Sequence, residues 1–174
     1  MMISMKTVAC FLFLFLLVVG EANASDQFEK VQCGSDIPKA LVGRRASNER
    51  VVVLEDRHKA LGLKDLGADQ ISDRLSTINW RICGSEYVLL EDDFVRDALP
   101  FPPHSKDAPA FSGICQVNGR DLPDFIIAVL NFVPGKEPLT ASAAWRIDQK
   151  RAQFIKISTD ALLCPRSGIV EGGP

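Results

Sequence analysis

The alternation of apolar and polar residues predicts that strands dominate the second half of the chain. Ile78, Trp80 and Ile82 alternate with polar residues, which is typical of a half-buried strand. Gly84-Ser85 separates this run from a second one, Glu86 to Glu91, and a two-residue loop with glycine first favours a type II′ hairpin. The register of that hairpin would pair Trp80 with Leu89 and Ile82 with Tyr87.

A second hairpin is expected near the end of the chain. Ala143 to Asp148 and Arg151 to Ser158 have the pattern of two strands on either side of Gln149-Lys150. A turn at that position sets opposite charges and apolar side chains across from each other, and such pairs stabilise a sheet. The expected pairs are Asp148 with Arg151, Ile147 with Ala152, and Trp145 with Phe154.

Two further segments between these hairpins also have strand patterns. Phe125 to Phe132 is apolar at every position except Asn131, and so little alternation indicates a central strand that is covered on both faces. Ser112 to Val117 is expected to be a strand that ends in a turn at Asn118-Gly119.

Two short helices are predicted before most of the strands. The segment from Ser35 to Gly43 begins with residues that cap a helix, has proline in its first turn and ends in glycine. Ala68 to Leu75 places apolar side chains one helical turn apart and is the second predicted helix. Between them, Arg50 to Leu54 contains a β-branched run that is typical of a strand.

These elements predict an α+β fold. Strands joined by tight hairpins run antiparallel, so we expect one antiparallel sheet of about five to seven strands with two short helices on one face. No repeat or break in composition divides the sequence, and residues 25–174 are expected to form a single domain braced by disulfides.

Residues 1–24 have the pattern of a signal peptide. Lys6 precedes an apolar run from Val8 to Val19, and Ala22-Asn23-Ala24 provides small residues at the cleavage position. The apolar run is shorter than the roughly 20 residues that a membrane-spanning helix needs. We therefore expect cleavage after Ala24 and an exported mature chain, periplasmic or extracellular, without a membrane span.

The cysteines outside that segment support export. They are Cys33, Cys83, Cys115 and Cys164, and an even number in an oxidising compartment predicts disulfides. Of the possible pairings we expect Cys33 with Cys83 and Cys115 with Cys164, because these bridges tie the opening and closing segments to the sheet. No Cys-x-x-Cys spacing or nearby histidine indicates a zinc or dithiol redox site.

The charge balance argues against a nucleic-acid partner. The formal net charge is −2, and it stays there when residues 1–24 are removed, because they contain one cation, Lys6, and one anion, Glu21. Nucleic-acid binding normally needs a basic surplus. The densest basic cluster, Arg44-Arg45 with Arg50, is interrupted by Glu49.

The two histidines are the candidates for acid–base chemistry. His58 follows Glu55 and Asp56, which could orient its ring as in an acyl-transfer triad, although a solvated charged turn is the simpler interpretation. His104 precedes Ser105, but adjacent side chains seldom point at each other. No Gly-x-Ser-x-Gly motif accompanies any serine, so no catalytic residue is assigned.

One acidic cluster could in principle bind calcium. Glu91-Asp92-Asp93, with Asp97 nearby, offers carboxylate oxygens. It lacks the alternating ligands and turn glycine of an EF-hand loop, so a solvated strand end is the favoured interpretation. We expect neither a metal nor a cofactor.

A proline-rich loop is the best candidate for ligand contact. The segment Pro100 to Ala110 is stiffened by its prolines, and stiff loops lose less entropy on binding. The segment before it, Val95 to Leu99, fits either a helical turn or a strand. The residues expected to contact a ligand are Phe101, His104 and Phe111. The other prominent aromatic residues are expected mainly in the core: Trp80, Tyr87, Trp145 and Phe154.

The function favoured by these observations is that of an exported, non-enzymatic domain that binds a protein, a peptide or a small ligand. The alternative is a small secreted hydrolase that uses His58 or His104 with acidic partners, and a structural role in an envelope assembly is a third possibility. Convergence of a histidine, a carboxylate and a hydroxyl in one cleft would favour the enzyme.

Overall fold

The computed structural model describes residues 27–46 and 56–170, with backbone only at 56–58. The helices are α1 (Ile37–Leu41) and α2 (Asp56–Leu61), and a short 3-10 helix spans Arg166–Gly168. The strands are β1 (Lys64–Ser72), β2 (Leu75–Ile82), β3 (Ser85–Glu91), β4 (Val95–Phe101), β5 (Ala110–Gly113), β6 (Gln116–Val117), β7 (Arg120–Asp121), β8 (Ile126–Leu130), β9 (Leu139–Asp148), β10 (Gln153–Lys156) and β11 (Leu162–Cys164).

The strands form two antiparallel sheets. Sheet 1 has 4 strands in the order β1-β2-β3-β4, and sheet 2 has 7 strands in the order β5-β8-β9-β11-β6-β7, with β10 paired to β9. The antiparallel prediction is confirmed, but two sheets replace the single one expected. The α+β class fits only in part, because the described residues are largely β and the two α-helices among them have 5 and 6 residues.

Apolar side chains pack in three layers. An outer core on sheet 1 receives Leu41 from α1 and Leu61 from α2. The inter-sheet core lies between the sheets and includes Val88, Leu90 and Ile127. A second outer core covers the other face of sheet 2. Because each sheet buries both faces in part, alternation along the strands is weaker than in a sheet with one solvated face.

Helix α1 confirms the first helix prediction. The Asp36 side chain caps it by accepting a hydrogen bond from the backbone N–H of Lys39 at 3.1 Å, and Pro38 lies in the first turn. Gly43 follows with a φ of 81°, a conformation that glycine adopts at little cost.

The second predicted helix, Ala68 to Leu75, is wrong. Its first part belongs to β1, the chain turns at Asp73-Arg74, and β2 begins at Leu75. Ile71 and Leu75 both contribute to the inter-sheet core from neighbouring strands, so their spacing mimics one helical turn. Register irregularities on either side of Ala68 interrupt the alternation that would otherwise indicate a strand.

The β2–β3 hairpin is present with a different register. Its loop residues are Cys83-Gly84, with φ values of 53° and 80°, and positive φ at both positions is the signature of a type I′ turn. The predicted turn at Gly84-Ser85 was one residue too late, because a cysteine rarely adopts positive φ. The observed pairs are Trp80 with Tyr87 and Ile78 with Leu89, and the predicted pairs Trp80 with Leu89 and Ile82 with Tyr87 are wrong.

The β9–β10 hairpin is also present, with a longer loop than predicted. Oδ1 of Asp148 accepts hydrogen bonds from the backbone N–H groups of Lys150 and Arg151, each at 3.1 Å, and Ala152 has a φ of 50°. This aspartate-organised turn shifts the register. The observed pairs are Asp148 with Gln153, Ile147 with Phe154, and Trp145 with Lys156, which corrects the predicted pairs Asp148 with Arg151, Ile147 with Ala152, and Trp145 with Phe154.

Among the described residues, the strand predicted at Phe125 to Phe132 is confirmed with narrower boundaries. Strand β8 is buried at every position and lies between β5 and β9, as expected for a central strand. Strand β4 extends through Phe101, so the proline-rich loop is shorter than predicted. The single strand expected from Ser112 to Val117 is divided into β5 and β6, and the turn at Asn118-Gly119 is present.

Two disulfides brace the fold, Cys33–Cys83 and Cys115–Cys164, with the pairing expected from the sequence. Such bridges fit an oxidising environment.

Within the described residues no helix is long and apolar enough to cross a membrane. Residues 1–24, the strand expected at Arg50 to Leu54 and the side chain of His58 lie outside what the structure describes.

Candidate functional site

A cavity of about 50 Å³ lies between sheet 1 and sheet 2. This inter-sheet cavity adjoins the inter-sheet core, since Val88 and Ile127 border both. The polar side chains around it come from both sheets and from the loop after β4: Asp69, Asn79, Glu86, His104 and Ser112. Apolar walls with a few convergent polar groups are typical of a binding site.

The proline-rich loop contributes one end of the cavity. Phe101 ends β4 and His104 lies in the loop, with their ring centroids 5.6 Å apart. The far end of the loop is held by the backbone N–H of Leu130, which donates to the Pro109 carbonyl at 2.9 Å. The loop is therefore anchored to sheet 1 at one end and to sheet 2 at the other.

Glu86 contacts two basic side chains at the cavity wall. The β2–β3 register sets Arg81 opposite Glu86, and Nη2 of Arg81 donates to Oε1 at 2.5 Å. Nε2 of His104 lies 2.6 Å from Oε2. The side chains of Glu86 and His104 are only 17% and 9% exposed. Both oxygens of this shielded carboxylate thus have a partner.

The pKa of Glu86 reflects opposing influences. Burial is the largest one and raises the pKa, but hydrogen bonds from Arg81 and His104, together with favourable charge interactions, bring it below its ordinary value. Glu86 is therefore ionised at neutral pH. Because a carboxylate only accepts hydrogen bonds, Nε2 of His104 must carry the shared hydrogen.

A second polar contact closes one side of the cavity. Oγ of Ser112 donates to Oδ2 of Asp69 at 2.7 Å and so links β5 of sheet 2 to β1 of sheet 1. Asp69 lies opposite Thr77 in the β1–β2 pairing, which puts it on the same face of sheet 1 as Asn79. Within the described residues Asp69 forms no ion pair, and the Asn79 side chain forms no hydrogen bond.

Phe111 borders the cavity, but its ring packs elsewhere. It pairs with Ala128 on the face of sheet 2 that carries the second outer core, and it is 1% exposed. Gly168 packs against this ring so closely that a Cβ at that position would lie 2.3 Å from the Phe111 ring. Phe111 is therefore a core residue that supports β5, and ligand contact through its ring stays a prediction.

The acidic side chains at the other end of β3 do not share a partner. Oδ1 of Asp92 accepts a hydrogen bond from Arg96 at 2.6 Å, and Oδ2 of Asp97 accepts one from the backbone N–H of Phe154 at 2.8 Å. Among the described residues no group of three or more histidine, cysteine or acidic side chains is arranged to hold a metal ion.

Glu91 is the exceptional member of that cluster. It is 2% exposed, accepts a 3.3 Å hydrogen bond from Oγ of Ser76, and its Oε2 has no hydrogen-bond partner among the described residues. Burial raises the pKa of Glu91, the Ser76 hydrogen bond lowers it, and the charges of Asp92 and Asp93 raise it further, so the net shift is upward.

The sequence indicates only part of this site. Phe101 and His104 stand out because they lie in a proline-rich loop. Asp69, Glu86 and Ser112 come from separate strands, and nothing in their local sequence shows that the strands meet. The one available signal is Asn79, a polar residue that alternates with apolar ones on a strand whose two faces are both covered.

Comparison with family models, with curated proteins and with solved structures found no match to this chain. Function is therefore inferred from the inter-sheet cavity and its residues.

Proposed function

We propose that this protein is an exported, non-enzymatic binding domain whose inter-sheet cavity receives a short group of its ligand. The observation that supports this most is the convergence, at one cavity, of apolar walls with five polar side chains from two sheets and an anchored loop. A wall that is ordered before binding reduces the entropy lost on association.

The size of the cavity decides how much of a ligand can enter. Its volume of about 50 Å³ is well below the roughly 150 Å³ of an engineered cavity that holds benzene and below the roughly 300–1,000 Å³ typical of pockets for whole small molecules. A complete organic ligand does not fit. A side chain of a protein or peptide, or the end of a small molecule, does.

Export is supported by the signal-peptide pattern of residues 1–24 and by the two disulfides, which persist in oxidising compartments. Intact-mass measurement of protein recovered outside the cytoplasm should give a chain that begins at Ser25. A chain that retains residues 1–24 would contradict this part of the proposal.

Binding can be tested with single-residue probes on isotope-labelled protein. The probes are the Nα-acetyl amides of norleucine, lysine and glutamate, and the readout is the amide chemical shift of Asn79 and Ser112. At least one probe should cause saturable shifts. Ala110→Leu fills part of the cavity and should abolish them, with Ala110→Val as a milder substitute if the leucine variant does not fold.

The matched control is Ala68→Leu, the same change at an exposed position of β1. This control should bind the probes like the unmodified protein. The proposal fails if no probe gives saturable shifts, or if both alanine variants behave alike.

A small hydrolase is the second candidate, and one observation favours it. His104, Glu86 and Ser112 border the same cavity. Against it, Oγ of Ser112 donates its hydrogen to Asp69 and not to His104, so in this arrangement the histidine does not accept the serine proton as a triad base would.

Hydrolysis of 4-nitrophenyl acetate separates the two candidates. The binding domain should give no rate above that of buffer. A hydrolase should turn the ester over and lose that activity in both Ser112→Ala and His104→Asn.

A further inference from the structure

The two carboxylates at the inter-sheet cavity differ in how the protein neutralises them. Glu86 has Arg81 on one oxygen and His104 on the other. Asp69 has one neutral hydroxyl partner, Ser112, and no ion pair within the described residues. The cavity therefore presents negative charge that a ligand can neutralise, and it repels a carboxylate.

Unused acceptors lie beside this charge. Oδ2 of Asp69 accepts the Ser112 hydroxyl, and Oδ1 has no hydrogen-bond partner among the described residues. Asn79, on the same face of sheet 1, adds an amide oxygen that makes no hydrogen bond with the described residues. Three acceptors, with the Ser112 oxygen as the third, match the three N–H donors of an ammonium group.

From this arrangement, and resting on the proposed function, we propose that the cavity binds a primary ammonium group at the end of a short aliphatic chain. A lysine side chain or a small alkylamine supplies that group. The ammonium is compact enough for a cavity of about 50 Å³, whereas the planar guanidinium of arginine is larger. The methylenes would contact Val88, Phe101 and Ile127, as amphipathic stems do on apolar surfaces.

The decisive comparison uses Nα-acetyl-lysine amide and Nα-acetyl-norleucine amide, because norleucine has the same aliphatic stem without the ammonium. Titrations followed by the amide shifts of Asn79 and Ser112 should show the lysine probe binding about tenfold tighter or more, as expected for charge-assisted hydrogen bonds. Asp69→Asn keeps an acceptor for Ser112 but removes the charge, and it should abolish this preference.

Asp73→Asn is the matched control, since it makes the same change in the β1–β2 turn outside the cavity. This variant should keep the preference for lysine. n-Butylammonium then separates the two sources of the ligand. If it binds as tightly as the lysine probe, a free alkylamine suffices, and if it binds about tenfold more weakly, main-chain contacts of a peptide contribute.

The possible failures are distinguishable. Norleucine or glutamate binding as tightly as lysine, with sensitivity to Ala110→Leu, would overturn the ammonium proposal and leave the binding function intact. An unchanged lysine preference in Asp69→Asn would also overturn it. If no probe binds at the cavity, both proposals fail.

Discussion

Strand β3 has a glutamate near each end, and the pKa values of the two side chains are shifted in opposite directions. Glu86, at the beginning, has a basic partner on each oxygen, and its pKa lies below the ordinary value. Glu91, at the end, is more deeply buried, and within the described part of the chain it has one hydroxyl partner, Ser76, and an unpartnered Oε2; its pKa is raised. Burial alone thus does not decide in which direction the pKa of a carboxyl group shifts; its partners do.

This difference gives the two residues opposite pH dependence. The stabilisation from Glu86 is present above the ordinary glutamate pKa and is lost as pH falls through its lowered folded pKa. For Glu91, whose folded pKa is raised, the contribution is fully present below the ordinary pKa and is lost as pH rises through the folded value. One strand therefore contains a glutamate whose stabilising contribution is lost at low pH and another whose contribution is lost at high pH.

The largest effect is expected from the bridge beside Glu86. Cys83 lies in the turn that leads into β3, and its bridge to Cys33 spans a separation of 50 residues. Replacing both cysteines by serine should lower the free energy of unfolding by about 4 kcal/mol in the chain-entropy model, measured by denaturant titration. In the variant the pKa of Glu86 should move towards its ordinary value, and that of Glu91 should not.

The matched control for the bridge is the pair Cys115→Ser and Cys164→Ser. Its separation of 49 residues predicts a similar loss of stability, but this pair lies in the second outer core and should leave the pKa of Glu86 unchanged. Equal pKa changes in the two double variants would contradict a local role for the Cys33–Cys83 bridge.

A smaller effect is expected from Glu86→Gln. The substitution leaves Arg81, whose side chain is 26% exposed, and His104, whose side chain is 9% exposed, without their anion, which should cost about 1–3 kcal/mol at pH 7. The difference from the unmodified protein should shrink as pH falls below about 4.3. Glu29→Gln, at a 3.8 Å ion pair with Arg44 in which the glutamate is 50% exposed, is the control, and a comparable loss there would show that the contacts of Glu86 are not special.

The smallest effect, of opposite sign, is expected from Glu91→Gln. Glu91 is buried with no cationic partner among the described residues, so replacing its carboxyl group by a neutral amide should raise the free energy of unfolding at pH 7 by about 1 kcal/mol. The gain should disappear as pH falls and Glu91 becomes protonated in the unmodified protein. Denaturant titrations at several pH values measure it, and a loss of stability at pH 7 would refute this account of Glu91.

Some of this fold could be predicted from local sequence, and some could not. Strand β8 was predicted because every residue in it is apolar, and α1 because Asp36 and Pro38 are strong start signals. The hairpin registers were missed because they depend on positive φ at Cys83 and Ala152, residue types that seldom adopt it. A single residue of error in a turn changes every cross-strand pair.

The candidate site shows the same division. His104 was indicated by its stiff loop, but its partner Glu86 lies 18 residues earlier in the sequence, in β3. Asp69 was assigned to a helix that does not form. Its contact with Ser112 joins the two sheets, and it depends on how the sheets pack, which local propensity does not report.

The order of strands in the two sheets has a consequence for how the chain reaches its native state. Sheet 1 joins strands that follow one another along the chain, whereas sheet 2 pairs β5 with β8 and β11 with both β9 and β6. Contacts between distant segments require costly loop closure and slow folding. We expect the hairpins of sheet 1 to form early and the completion of sheet 2 to limit the rate. The Ser112–Asp69 contact, and with it the cavity, would then form only at the last step of folding.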